Sequence, residues 1–131
     1  MDRRQLEPIA REHGVELLVQ FGSSVRGTSH PQSDIDVGAL FVRVPESLGD
    51  LAELSAALQP LFPDRAVDLA ILNHADPLFL KQVAEGGVLL YGATARWRDF
   101  QLYAFKRYQD HRRFLQMERD YVNRAIASAP R

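Results

Sequence analysis

The chain has 131 residues, of which 46% are hydrophobic and 25% charged, with a formal net charge of −1 and no cysteine. This length and composition support one domain with its own core and exclude a disordered or low-complexity chain. Without cysteine there is no disulfide scaffold, no thiol nucleophile and no thiolate-built zinc site.

In chain order, the charged opening "DRRQLEPIAREHG" predicts a helix stopped by Gly14. It is not a signal peptide, and no apolar run approaches a membrane span, so a soluble, cytoplasmic protein is expected. "VELLVQF" (Val15 to Phe21) reads as a strand, "SSVRGT" as a short helical turn, and "TSHPQS" as a loop. "DIDVGALFV" is a second strand. "PESLGDLAELSAALQPLF" carries Leu51, Leu54 and Leu58 at helical spacing behind a Ser47 cap. "AVDLAIL" is a third strand, "DPLFLKQVAEGG" a helix with Pro77 in its first turn, and "VLLYG" a short fourth strand.

From Thr94 to Ala127 there is neither Pro nor Gly, which predicts a single long helix. Trp97, Phe100, Ala104, Tyr108, His111, Leu115 and Val122 fall on one stripe of it. The pattern is α/β (α+β): a small mixed sheet flanked by helices, with residues 1–93 forming the sheet region and 94–131 a helical tail. Charge follows the same division. The tail from Thr94 carries nine Lys/Arg against four Asp/Glu, and the remainder seven against thirteen. Such a segment is either a solvated helix face or a basic surface for an acidic partner.

The chemistry concentrates between Phe21 and Asp36. Two residues apart in a strand, Asp34 and Asp36 project from one face at a spacing of about 6.5–7 Å along the backbone. Carboxylates held that close repel unless a cation lies between them. A hard divalent ion fits, because magnesium needs few protein oxygens and takes water or phosphate for the rest. Asp68, alone in the apolar "AVDLAIL", is a third acid that is costly to place there without a partner. If its strand lies beside Asp34 and Asp36, the three can hold two metals about 3.5–4 Å apart, the geometry of in-line displacement at phosphorus. Upstream, Gly22 permits close backbone approach, Ser23 offers a hydroxyl and an N–H, and Arg26 adds a cation one turn on.

Each piece alone is ambiguous. A Gly-Ser pair is commonly a plain turn, and glycosyltransferases hold a metal–nucleotide with similar Asp-x-Asp pairs. The combination of Gly22-Ser23, ten intervening residues, Asp34-Ile35-Asp36 and a later strand with Asp68 resembles the nucleotidyltransferase signature of the DNA polymerase beta-like superfamily. Within it, "GSSVRG", "SDIDVGALF", "VDLAILNHADPLFLKQVAEGGVLLYG" and a helical tail rich in Arg and aromatics look like the minimal nucleotidyltransferases paired with HEPN-domain toxins. The resemblance implies that Asp34, Asp36 and Asp68 ligate two Mg2+ ions (or Mn2+), with Asp68 favouring deprotonation of the acceptor. It implies that Gly22, Ser23 and, less directly, Arg26 grip the triphosphate of ATP. It further implies transfer of AMP to a tyrosine hydroxyl of a HEPN-type RNase toxin, which would make the protein an enzymatic antitoxin.

Two other classes stay open on the residues: a partner that neutralises a toxin by binding alone, and a small-molecule nucleotidyltransferase resembling aminoglycoside-modifying enzymes. Direct nucleic-acid binding is not expected, since no template domain is visible. His13, His74 and His111 share no ligand spacing and read as surface or packing residues, whereas His30 lies in the loop nearest the acids. Tyr103, Tyr108 and Tyr121 read as packing residues, and Trp97 as the anchor of the tail on the sheet.

Overall fold

The computed structural model describes residues 1–27 and 33–130. A 3-10 turn at Arg3–Gln5 leads into α1 (Leu6–Glu12), followed by β1 (Val15–Phe21) and the four-residue α2 (Ser23–Arg26). Then come β2 (Ile35–Phe41), α3 (Leu48–Leu58), β3 (Val67–Ile71), α4 (Pro77–Gly86), β4 (Val88–Tyr91) and α5 (Thr94–Ala127). The strands form one sheet in the order β3-β2-β1-β4. β1 pairs antiparallel with both β2 and β4, and β2 pairs parallel with β3. The mixed sheet and continuous C-terminal helix match the sequence expectation.

Strand alternation sends side chains to two cores. Leu18, Val37, Ala39 and Phe41 pack with Leu6, Ala10, Leu54 and Leu58 of α1 and α3. Leu17, Val19 and Leu40 pack on the opposite face with Leu80 and Val83 of α4 and with Trp97, Phe100 and Ala104 of α5. Val15 and Leu18 share a core although three residues apart, which strict alternation forbids. A register shift between Val15 and Leu17 in the β1–β2 ladder resolves this, one extra residue turning the strand.

The helix ends follow the residues that cap them. Ser47 accepts from Asp50 N at 3.2 Å and starts α3. Asp76 accepts from Leu78 N at 2.9 Å and starts α4, with Pro77 in the first turn, where its missing N–H removes no helical bond. The tail departs from expectation in one respect. Trp97 stacks on Phe100 at 5.5 Å and anchors α5 as anticipated, but the covered stripe ends at His111. Leu115 and Val122 are exposed, and so is every residue from Arg112 to Ala127, because the sheet and α4 are shorter than the helix. Tyr103 and Tyr121 are likewise exposed rather than packed, while half-buried Tyr108 lies under Lys81, 4.7 Å from Nζ to ring centre.

Candidate active site

β2 carries the site at its N-terminal end. Asp36 is in register with Phe21 of β1 on one side and with Asp68 of β3 on the other. Aligned neighbours in a ladder share a face, so Asp36 and Asp68 stand together on the α4–α5 side. Val67, Leu69 and Val37 turn to the α1–α3 core. The backbone that follows Phe21 is Gly22-Ser23, so the same register brings the Gly-Ser turn to the acids. The sheet joins segments that are 46 residues apart, from Gly22 to Asp68.

Asp34 requires a correction. β2 begins at Ile35, whose N–H donates to Ala66 O at 2.8 Å, so Asp34 is in the approach to the strand rather than within it. The alternation argument therefore does not fix its direction. Its charge nonetheless reaches Asp36. Burial raises the proton affinity of Asp36 above the ordinary carboxylate value; the charges of Asp68 and then Asp34 add to this, as does a hydrogen bond with the Asp68 side chain. The Arg26 guanidinium opposes the shift. One half-buried carboxylate between two exposed ones is thus held in a field that favours added positive charge.

Gly22 sits at φ +80°, ψ −157°, a region that disfavours side chains. A Cβ built there would collide with Oδ2 of Asp36. Glycine is favoured by the backbone angle, and a side chain here would also have to displace the Asp36 carboxylate. The Gly22 carbonyl accepts from Val25 N and Arg26 N at 3.2 and 3.3 Å, closing α2, while the first N–H groups of such a turn have no partner inside it. Ser24, not Ser23, is committed to the fold: its hydroxyl donates to Phe21 O at 3.4 Å and accepts from Gln20 Nε2 at 3.1 Å. Ser23 occupies the first position of α2, and exposed Arg26 its last.

Among the described residues, no group of three or more acidic, His or Cys side chains is drawn tightly enough to hold a metal by itself. Donor type and field nonetheless fit a hard cation. All three acids offer oxygen, and the repulsion on Asp36 is what a cation removes. Such an ion would complete its shell with water or phosphate oxygens, as magnesium does at nucleotide sites.

Three residues that frame the site carried no sequence signal. Gln59 fixes the start of β3: its Nε2 donates to Arg65 O at 2.6 Å and Phe62 O at 3.0 Å, and its Oε1 accepts from Val67 N at 3.0 Å, one residue before Asp68. Asn73 closes the far end, accepting from Phe41 N at 2.8 Å and donating to Phe41 O at 2.9 Å. Phe79 meets Phe21 edge-on at 5.3 Å, bracing the strand end that leads into Gly22. A glutamine before a proline and an asparagine in a turn look like ordinary surface residues in the sequence. Of the histidines, His13 lies with Nδ1 3.0 Å from Ile9 O, His74 takes a left-handed turn conformation at φ 57°, and His111 is half-buried on α5. His30, with most of the "TSHPQS" loop, lies outside the described residues.

Comparison with known proteins settles the family. The domain described as "Polymerase beta, Nucleotidyltransferase" matches residues 4–96. The chain belongs to the polymerase beta nucleotidyltransferase family. The matched segment contains all four strands and all three acids, and it stops near the start of α5. The likeness to minimal nucleotidyltransferases also holds. The chain is 34% identical over 95 residues to the protein adenylyltransferase MntA of Shewanella oneidensis, an overlap of 70% of this chain. It spans 63% of the length of that relative. A chain of a toxin–antitoxin crystal structure with AMP-PNP superposes with a TM-score of 0.72 at 26% identity, covering 98% of this chain and all of the other. The complex of tri-AMPylated Shewanella oneidensis HEPN toxin with MNT antitoxin gives 0.65 at 23% identity over 96% of both, a likeness of fold. No helix among the described residues is long and apolar enough to cross a membrane.

Proposed function

We propose that this chain is a protein adenylyltransferase that transfers AMP from ATP to a tyrosine hydroxyl of a HEPN-type toxin and so acts as its antitoxin. The observation that carries the proposal is the register of Phe21, Asp36 and Asp68. It sets a glycine-serine turn on one side of a half-buried carboxylate and a second acid on the other. Support for donor and acceptor comes from the adenylyltransferase name of the relative and from the AMP-PNP and AMPylated-toxin complexes of similar fold.

In this reading Gly22, Ser23 and Arg26 orient the triphosphate, the turn N–H groups and the guanidinium facing its oxygens. Asp34, Asp36 and Asp68 would hold one or two divalent cations, Mg2+ or Mn2+, which supply charge neutralisation at the α-phosphate and the departing pyrophosphate. Asp68, which is exposed, takes the proton of the attacking hydroxyl in this reading. The acceptor oxygen bonds to the α-phosphorus, the bond from that phosphorus to the α–β bridging oxygen breaks, and pyrophosphate leaves with the electron pair. The chain contributes mainly position and a prepared field. Incubation of the purified HEPN protein with the chain, ATP and Mg2+, followed by mass spectrometry, tests this. Added AMP on a tyrosine is expected, and an unmodified acceptor overturns it.

A second reading, neutralisation by binding without transfer, draws on the exposed end of α5, which offers contact surface remote from the acids. The Asp68→Asn variant argued below separates the two.

A further inference from the structure

The last 16 helical residues, Arg112 to Ala127, have no cover from the rest of the described chain. At 1.5 Å per residue they extend for about 24 Å. They are not the polar surface that a solvated helix would show. Phe114, Leu115, Met117, Tyr121, Val122 and Ile126 are all exposed, from 46% for Val122 to 70% for Tyr121. At 3.6 residues per turn these six share one side of the helix, in continuation of the face that buries Trp97 and Ala104 upstream. A contiguous apolar strip of this kind on a soluble chain marks an interaction site.

The charges around the strip select its occupant. Helical spacing places Arg112 and Arg119 along one border and Arg113 and Arg124, with Asp120 beside them, along the other, so both borders are net basic, while Glu118 falls in the middle among the apolar residues. A second copy of this chain is a poor match. It would bring arginine borders against arginine borders and would bury Glu118 without a cation supplied by the facing apolar strip. A matching surface has an apolar ridge, acidic borders and one basic group.

We infer that the exposed end of α5 docks the acceptor protein of the adenylyl transfer, gripping a helical surface of it that carries an apolar ridge, acidic borders and a basic residue opposite Glu118. This rests on the proposed function for the identity of the partner, but not for the surface. The site acids lie at the N-terminal end of β2 and on β3 beside it, and the strip lies on the free helix end, so binding and chemistry are served by different residues. Docking here raises the local concentration of the acceptor hydroxyl without any part in the transfer itself.

The test is calorimetric titration of the full chain with the HEPN-domain protein of the same genome, at low and high salt, beside steady-state AMP transfer. Leu115→Glu combined with Val122→Glu changes only exposed positions, so a wild-type circular dichroism spectrum is expected. Its affinity should fall at least about tenfold, the loss typical when central contacts of an interface are removed. KM for the acceptor should rise with kcat unchanged. Arg112→Glu with Arg119→Glu should weaken binding at low salt and flatten its salt dependence. Wild-type affinity in both variants, or no binding by the wild-type chain, overturns the docking site. So does a wild-type dimer in sedimentation that the apolar-strip variant converts to monomer, since the occupant is then a second copy. Binding lost in the variants while wild type transfers no AMP supports the docking site and overturns the proposed function instead.

Discussion

The acid end of β2 and the free end of α5 both carry groups that the described part of the chain compensates only in part. At the strand end the problem is charge: Asp36 stands half-buried between Asp68 and Asp34, and burial first, then the charges of those two acids, raises its proton affinity. At the helix end the problem is apolar surface, six large side chains facing water. The two differ in how they are held. Asp36 is placed by backbone ladders on both sides, Asp68 by its ladder to β2 and by Gln59 at the start of β3, and the close approach of Gly22 leaves room for the Asp36 carboxylate. Among the described residues, nothing outside α5 covers the helix end. A site for chemistry needs fixed geometry, whereas a docking surface can be ordered by what it binds. Substitutions should therefore separate them: changes at the strand end alter rate, and changes on the tail alter association.

The largest effect is expected from Asp34→Asn combined with Asp36→Asn. AMP transfer should fall to background, because two of the three oxygen donors proposed for metal lose their charge. The fold should survive, since the mutations remove repulsion without changing size, and the melting temperature of the metal-free protein should rise. Transfer assays beside thermal melts in chelator check both. Activity retained with a normal circular dichroism spectrum would rule out the site.

Asp68→Asn should come next. It leaves Asp34 and Asp36 in place, so nucleotide binding should weaken without vanishing, while transfer drops by about 10²–10⁴-fold if Asp68 accepts the hydroxyl proton. The mutant should still bind its partner through α5 yet fail to protect cells. Protection equal to wild type with no AMP on the partner would establish neutralisation by binding and sink the enzymatic reading.

Gly22→Ala should have a smaller, divided effect. Gly14 supplies the control, because it also has positive φ (+67°) but open space where a Cβ would go. Gly14→Ala should lose only the cost of an unfavourable backbone angle, about 1 kcal/mol or slightly more. Gly22→Ala adds the clash with Asp36, so it should lose more stability and also ATP affinity, read by chemical denaturation and by titration with a nonhydrolysable ATP analogue in Mg2+. Equal losses at the two positions, with ATP affinity intact, would show that the approach of Gly22 to Asp36 has no role in nucleotide binding.

How much of this was legible in the sequence depended on whether the signal was local. The Ser47 cap, Pro77 in the first turn of α4 and the full run of α5 follow from cap chemistry, the fixed geometry of proline and the absence of breakers, all of them local signals. Asp36 and Asp68 were readable as acids in apolar strands, but their adjacency is a register, set by pairing between segments 32 residues apart in the chain. Asp34 was misplaced by one step because a strand's start is decided by its first ladder bond, here from Ile35 N to Ala66 O. Gln59 and Asn73 were invisible for the same reason: their partners are backbone atoms whose positions exist only in the fold. The end of the covered stripe on α5 was unreadable too. Periodicity shows which side of a helix is apolar, and only the length of the neighbouring elements shows where cover stops.

The smallest effect expected is on pH dependence, and it sharpens the contrast by asking whether the strain at the strand end is electrostatic. Asp36 has a folded-state proton affinity raised above that of the unfolded chain, first by burial and then by Asp68 and Asp34. An acid shifted in this direction holds its proton more tightly when folded. Below the ordinary carboxylate value, both states are protonated and there is no penalty. As pH rises from that value through the raised one, the folded state loses stability relative to the unfolded state, and the penalty persists above it. Asn at position 36 cannot ionise, so it escapes the penalty. In chelator, the melting temperature of Asp36→Asn should therefore exceed that of wild type by little near about pH 4 and by more near about pH 7. Thermal melts of both proteins across that range measure the difference, which cancels titrations common to both. Mg2+ with ATP should narrow the gap at the higher pH by stabilising wild type selectively. A gap that is constant across the range would show that the substitution acts through packing, and the field at Asp36 would lose its place in the argument for a cation.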